Sequence, residues 1–81
     1  MTKKYEYELY VATKEEEIFL LNISKSVNAS KKITEYSYGQ LLEYTKAIRE
    51  EKEISNEEVL CFIFRYKTKY TECEFRTRKE K

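Results

Sequence analysis

The chain opens on a strict alternation. From Tyr5 to Thr13, the apolar residues Tyr5, Tyr7, Leu9 and Val11 take every second position, with Glu6, Glu8 and Tyr10 between them. Side chains on a strand point alternately to its two faces, so the pattern predicts a strand with one buried and one wetted side. Glu17 to Ser24 then holds Ile18, Phe19, Leu20, Leu21 and Ile23, a compact run that suits a strand buried on both faces. A helix capped by Thr13 and Glu16 competes for this segment, but its shortness and β-forming composition favour a strand. The two strands form a hairpin turning through Thr13 to Glu16. Residues 24 to 32, rich in serine, lysine and asparagine, predict a polar connecting loop.

The period changes after Ile33. Tyr38, Leu41, Leu42, Thr45 and Ile48 recur at three-to-four spacing, while Lys46, Glu50 and Glu53 fall on the other side, so a helix is predicted from about Glu35 to about Lys52. Thr34 is the expected N-cap, with Ile33 and Tyr38 as a hydrophobic staple. Gly39 inside this helix costs about 1 kcal/mol relative to alanine. Either another backbone approaches closely there, or the glycine is simply tolerated. Val59 to Tyr66 is dense in β-formers and apolar on both faces, as expected of a central strand. Tyr70 to Thr77 alternates again, Thr71, Cys73 and Phe75 opposite Glu72, Glu74 and Arg76, as expected of an edge strand. Arg78 to Lys81 is expected to be a frayed tail. The result is one α+β domain over residues 1–81: a four-stranded, mainly antiparallel sheet in the order β-β-α-β-β, with one helix on one face.

Dimensions raise a difficulty with that design. A helix of about 18 residues matches a strand of about eight in length, but four strands spaced about 4.8 Å apart are wider than one helix of about 10–12 Å. One helix covers one face. The third strand carries Leu60, Phe62, Phe64 and Tyr66 on one side and Val59, Cys61 and Ile63 on the other, so whichever side meets the helix, the opposite side needs cover. The smaller set is assigned to the helix, because small side chains permit close approach. Leu60, Phe62, Phe64 and Tyr66, together with Tyr10, then form the expected interface with a second copy or with a partner protein. The alternative is that loop 24–32 folds over the far face and completes an ordinary core.

Composition narrows the class further. In 81 residues, 41% are apolar, 38% are charged, and eight tyrosines and four phenylalanines supply aromatic bulk, which excludes disorder and a membrane span. No leader or apolar anchor is read in the chain, so the cytoplasm is the expected location and the Asn22 and Asn28 glycosylation-type triplets are chance matches. The net charge of +1 gives no global field to recruit nucleic acid. Residues 59–81 are locally basic, with seven cations against three anions. Arg65, Lys67, Lys69, Tyr70, Arg76 and Arg78 interleave cations with aromatics there, as single-strand binders do.

Catalytic chemistry has little to work with. There is no histidine, Gly39 is the only glycine, and the two cysteines are not in a C-x-x-C pair, so imidazole bases, phosphate-cradling loops and thiolate zinc sites are excluded. The carboxylates at Glu15 to Glu17, Glu50-Glu51 and Glu57-Glu58 are expected to be solvated. Cys61 and Cys73 are symmetric about Lys67, so a hairpin centred there would set them opposite each other on one face. In a reducing compartment both are expected to be free thiols, and without a cation on that face neither is activated. The expectation is a non-enzymatic protein–protein interaction module with no metal, cofactor, membrane or small-molecule substrate. It would be a small dimeric inhibitor or regulator, of the kind phages and mobile elements encode, that occupies a partner's surface. The alternative is a small RNA- or DNA-binding protein using the basic aromatic hairpin.

Overall fold

The computed structural model of the chain describes residues 4–26 and 33–79. Strands β1 (Lys4–Ala12) and β2 (Glu17–Ser26) are followed by a short 3-10 turn at Ile33–Glu35, helices α1 (Tyr38–Tyr44) and α2 (Lys46–Glu51), a second 3-10 turn at Asn56–Glu58, and strands β3 (Cys61–Lys67) and β4 (Glu72–Arg78). They form one four-stranded sheet in the order β2-β1-β3-β4, with every neighbouring pair antiparallel. The α+β architecture with a four-stranded antiparallel sheet is the one the sequence predicts, and the element order matches in part: two short helices and two 3-10 turns stand where one helix is predicted, and β2, expected to be buried on both faces, lies with β4 at the edges while β1 and β3 are central.

The first hairpin turns where the pattern placed it. Thr13 N–H donates to the Glu16 carbonyl at 2.8 Å, and the Thr13 hydroxyl accepts from the Glu15 and Glu16 amides, a side chain standing in for backbone in the turn. Between Leu9 and Tyr10 the β1–β2 register shifts. The bulge lets both Leu20 and Leu21 lean toward the core.

Helix formation departs from the expected continuous rod. α1 starts at a capping box, where the Ser37 hydroxyl accepts from Gln40 N–H and the Gln40 side chain accepts from Ser37 N–H. The N-cap is therefore Ser37, and the predicted cap Thr34 lies in the preceding 3-10 turn. Thr45 then interrupts the helix: its hydroxyl donates back to the Leu41 carbonyl at 2.6 Å, a bond that competes with helix continuation. A Cβ at Gly39 would meet nothing within 4 Å, so that glycine is tolerated and no backbone approaches it. α2 closes in a Schellman motif, with Ile54 N–H donating to the Arg49 carbonyl at 2.9 Å and Glu53 N–H to the Glu50 carbonyl at 3.1 Å. The motif forces Glu53 to φ 59°, a conformation that suits glycine. Glu53→Gly is expected to raise folding stability by about 1 kcal/mol in a urea titration; a destabilised variant would mean that the glutamate side chain contributes more than its backbone strain costs.

The sheet face that meets the helices is aromatic. Leu9, Val11, Phe62 and Phe64 are wholly buried on it, in one cluster with Leu20, Ile33, Tyr38, Leu41, Ile54 and Val59. The Tyr38 ring lies 5.6 Å from Phe62 and Tyr36 lies 6.4 Å from Phe64, and the Tyr38 hydroxyl donates to the Val59 carbonyl at 3.1 Å. This reverses the expected facing of β3. Phe62 and Phe64 are core residues and cannot serve as an outward interface, while Cys61 and Ile63 point away from the helices. The physical reason is that two short helices leave deep space over the sheet, which bulky side chains fill better than small ones. Tyr66 is half-buried on the same side, 4.9 Å from Tyr7 in an edge-to-face pair. Leu60 precedes the strand and is exposed. Cover of the far face by loop 24–32 concerns a segment of which residues 27–32 lie outside those described. Ser24 to Ser26 of that expected loop belong to β2.

The second hairpin is centred later than expected. Thr68 and Thr71 close it, with Thr68 N–H donating to the Thr71 carbonyl at 2.8 Å and the Thr68 hydroxyl accepting from the Tyr70 and Thr71 amides. Tyr70 is thus a turn residue and 85% exposed. Cys61 pairs with Arg78 and Cys73 with Tyr66, so the thiols lie on opposite faces and both are free. An odd register displacement turns every side chain of a strand over. Arg78, expected in a frayed tail, is the last residue of β4; residues 80–81 of that tail lie outside those described.

Candidate interaction surface on the open sheet face

The outward face of the sheet can be laid out from the register. Glu17 of β2 stands opposite Ala12 of β1, which pairs with Cys61 of β3 and then Arg78 of β4; the next row runs Phe19, Tyr10, Ile63, Arg76, and the next Asn22, Glu8, Arg65, Glu74. No described helix covers these rows. Even so, Ile63 is fully buried, in a small cluster with Ala12, Cys61 and Tyr10.

The cover comes from side chains. Arg65 Nε donates to Glu74 at 3.0 Å, and its Nη2 donates to Glu17. Arg76 Nε donates to Glu74 at 2.7 Å, and its Nη2 donates to Glu17 at 2.9 Å. Each arginine holds both glutamates and each glutamate holds both arginines, so four charges close into a cycle above Ile63. The cycle reaches from β2 to β4 across the two central strands. Arginine stems are apolar and their heads planar, so the pair can roof a hydrophobic residue while each head keeps its two carboxylates.

Two more contacts tie the cycle to aromatic residues. The Arg65 guanidinium sits over the Tyr10 ring, 4.6 Å from its centroid, a stacking that a flat cation favours. Tyr10 in turn meets Phe19 edge-on at 5.5 Å. Arg76 Nη1 lies 3.9 Å from Cys61 Sγ, so a cation does stand beside that thiol, contrary to the sequence expectation. Cys61 is buried, and this guanidinium is already engaged by two carboxylates.

The electrostatics follow from this geometry. Hydrogen bonds from Arg65 and then Arg76 hold the Glu17 and Glu74 carboxyls below the usual glutamate range, and the same bonds push both guanidinium groups up. A carboxyl depressed in the folded state contributes stability above its unfolded pKa, and that contribution is lost as the pH falls through the folded value. The melting temperature is therefore expected to fall as the pH drops below about 4.3, the ordinary glutamate value, and Glu17→Gln is expected to flatten that fall. Equal acid slopes in the two proteins would show that the cycle is not a source of stability.

The residues expected to touch nucleic acid are dispersed by the same contacts. Arg65 and Arg76 are in the cycle, and Lys67 pairs with Glu72 at 3.3 Å. Lys69 lies over Tyr70 in the turn, 5.6 Å from the ring centroid, and Arg78 makes no ion pair among the described residues. Of the expected protein interface, Tyr10 is on the open face and Leu60 is 55% exposed, whereas Phe62 and Phe64 are sealed. Phe19, Glu17 and Glu74 were missed as site residues. Their signal is the shared face parity with Tyr10 and Arg65, readable only once the register is known. Among the described residues, no group of three or more metal-ligating side chains occurs, and no helix is long and apolar enough to cross a membrane.

Beyond Glu8 and Arg65, β1 and β3 no longer pair with each other, although each stays paired with its outer neighbour. The sheet forks there into two hairpins, with a cleft of about 680 Å³ at the fork. Glu6, Glu8, Lys67 and Glu72 bring both signs of charge to its walls. Comparison with protein-family models, curated proteins and solved structures returned no match for this chain.

Proposed function

We propose that the chain is a non-enzymatic binding module, an inhibitor or regulator that acts by laying its open sheet face against another protein. The observation that carries this reading is the array of Arg65 on Tyr10 and Tyr10 against Phe19, held in place by the closed charge cycle. Tyrosine and arginine are enriched among residues that dominate binding energy, and side chains already immobilised lose less entropy on association. Leu60, exposed beside Cys61 at the end of the same face, adds an apolar contact that nothing described covers.

Nucleic acid fits this face less well. Counterion release needs cations free to neutralise phosphates, and three of the expected contacts, Arg65, Lys67 and Arg76, already hold carboxylates. Placing a photo-crosslinking phenylalanine analogue at Phe19 separates the two readings. A discrete protein adduct in extract from the native host, absent when the analogue is at Tyr44 on the helical side and lost with Tyr10→Ala, supports the proposal. Equal labelling from both positions, or adducts only to nucleic acid, overturns it.

A further inference from the structure

The far edge of β4 is open: among the described residues no strand pairs with it. Of the usual edge protections it lacks two, a bulge and a proline. The β3–β4 register is unbroken from Cys61↔Arg78 to Lys67↔Glu72, and the chain has no proline, whereas the opposite edge strand, β2, carries a bulge. What β4 carries instead is a pattern of charge. On the open face it reads Glu72, Glu74, Arg76, Arg78, and on the helix-facing side Cys73, Phe75, Thr77.

That order is complementary to itself when reversed. We propose that β4 is a self-recognition edge: two copies pair antiparallel about Phe75, extending the sheet to eight strands with both sets of helices on one side. In this register Glu72 opposes Arg78 of the second copy and Glu74 opposes Arg76, while Phe75 meets Phe75 on the helix-facing side. Signs then alternate along each row. Arg65, already opposite Glu74, continues to the second copy's Arg76; Lys67, already opposite Glu72, continues to its Arg78, which otherwise has no ion pair among the described residues. Opposite charges facing each other across a strand pair stabilise, and like charges destabilise.

Register is selected as well. Slipping the pair by two residues in either direction sets Glu74 against its own copy or Arg76 against its own copy. Phe75 is half-buried on Phe64, 6.2 Å between ring centroids, so the two-fold brings a half-covered aromatic against its equivalent. The Thr77 hydroxyl, the one buried side-chain polar atom without a partner among the described residues, comes opposite Cys73 of the second copy.

The edge is separate from the open face, so this inference does not rest on the function proposed above. Sedimentation of the full chain at tens of micromolar tests it, with Glu72→Arg and Arg78→Glu as variants because both lie outside the charge cycle. The parent is expected to sediment as two chains. Each variant alone puts like charges in two symmetric positions and is expected to self-associate about tenfold more weakly or worse, with an unchanged circular dichroism spectrum at low concentration. An equimolar mixture restores opposite charges at both positions and is expected to recover the dimer. A parent that sediments as one chain, or single variants that dimerise as well as the parent, overturns the proposal; so does a mixture that behaves as the separate variants do.

Discussion

Phe64→Ala is expected to cost about 3–5 kcal/mol of folding free energy, read as a lowered urea midpoint at an unchanged slope. Phe64 is fully buried between the Tyr36 and Phe75 rings, so truncation removes transfer energy and leaves a cavity. A chain of 81 residues is stable by only about 4–12 kcal/mol in all. The variant therefore stands close to unfolding at ambient temperature. Leu60→Ala is the matched control: Leu60 is 55% exposed, and its loss is expected to cost less than about 1 kcal/mol. Similar costs at the two positions would mean that β3 faces the other way.

Arg49→Ala is expected to cost about 3 kcal/mol, although arginine is usually a surface residue. The side chain is 2% exposed. Its Nε donates to the Thr45 hydroxyl at 3.0 Å, Nη1 to the Ile54 carbonyl at 3.3 Å, and Nη2 to the Leu42 carbonyl at 2.8 Å. Those oxygens belong to the end of α1, the break between the helices and the segment leaving α2. One planar head thus satisfies groups that a helix interruption would otherwise strand, and the Thr45 hydroxyl passes the interaction on to the Leu41 carbonyl. Arg49→Lys retains the charge but not the fork, and is expected to recover less than half of the loss. A urea midpoint for Arg49→Ala within about 0.5 kcal/mol of the parent would show that water replaces the guanidinium there.

Alternation made β1 legible because one of its faces is polar, and the Thr13 turn followed from the gap between two β-rich runs. β3 could not be oriented in this way: with apolar residues on both faces, its pattern carries no parity. Orientation had to come from the partner strands, and there the second hairpin decided it. Centring the turn on Lys67 instead of on Lys69 and Tyr70 displaced β4 by an odd number of residues, which grouped Phe75 and Cys73 with Cys61 and Ile63 instead of with Phe64 and Tyr66. The Thr68 and Thr71 hydroxyls that close the turn are visible in the chain, but lysines and tyrosines on either side conceal them. The N-cap at Ser37 with Gln40 three residues on is a pattern the chain also carries, but Thr34 with its apolar staple offers a helix start three residues earlier and draws the reading there. Arg49 carries no signal in the sequence, since nothing in the spacing says that Thr45 will break the rod and need an arginine beneath it. The charge cycle joins residues 48 and 59 positions apart, a distance at which local pattern is silent.

That long reach bears on how the protein comes into being. Glu17 is made before Arg76, 59 residues later, and waits for it, and β1 waits for β3 as its inner neighbour. Until β4 leaves the ribosome, Ile63 has no roof and the first hairpin has no finished outer surface. The domain therefore cannot complete its outer face until β4 has been made, and the contacts that close it are of long sequence separation, the kind that form slowly.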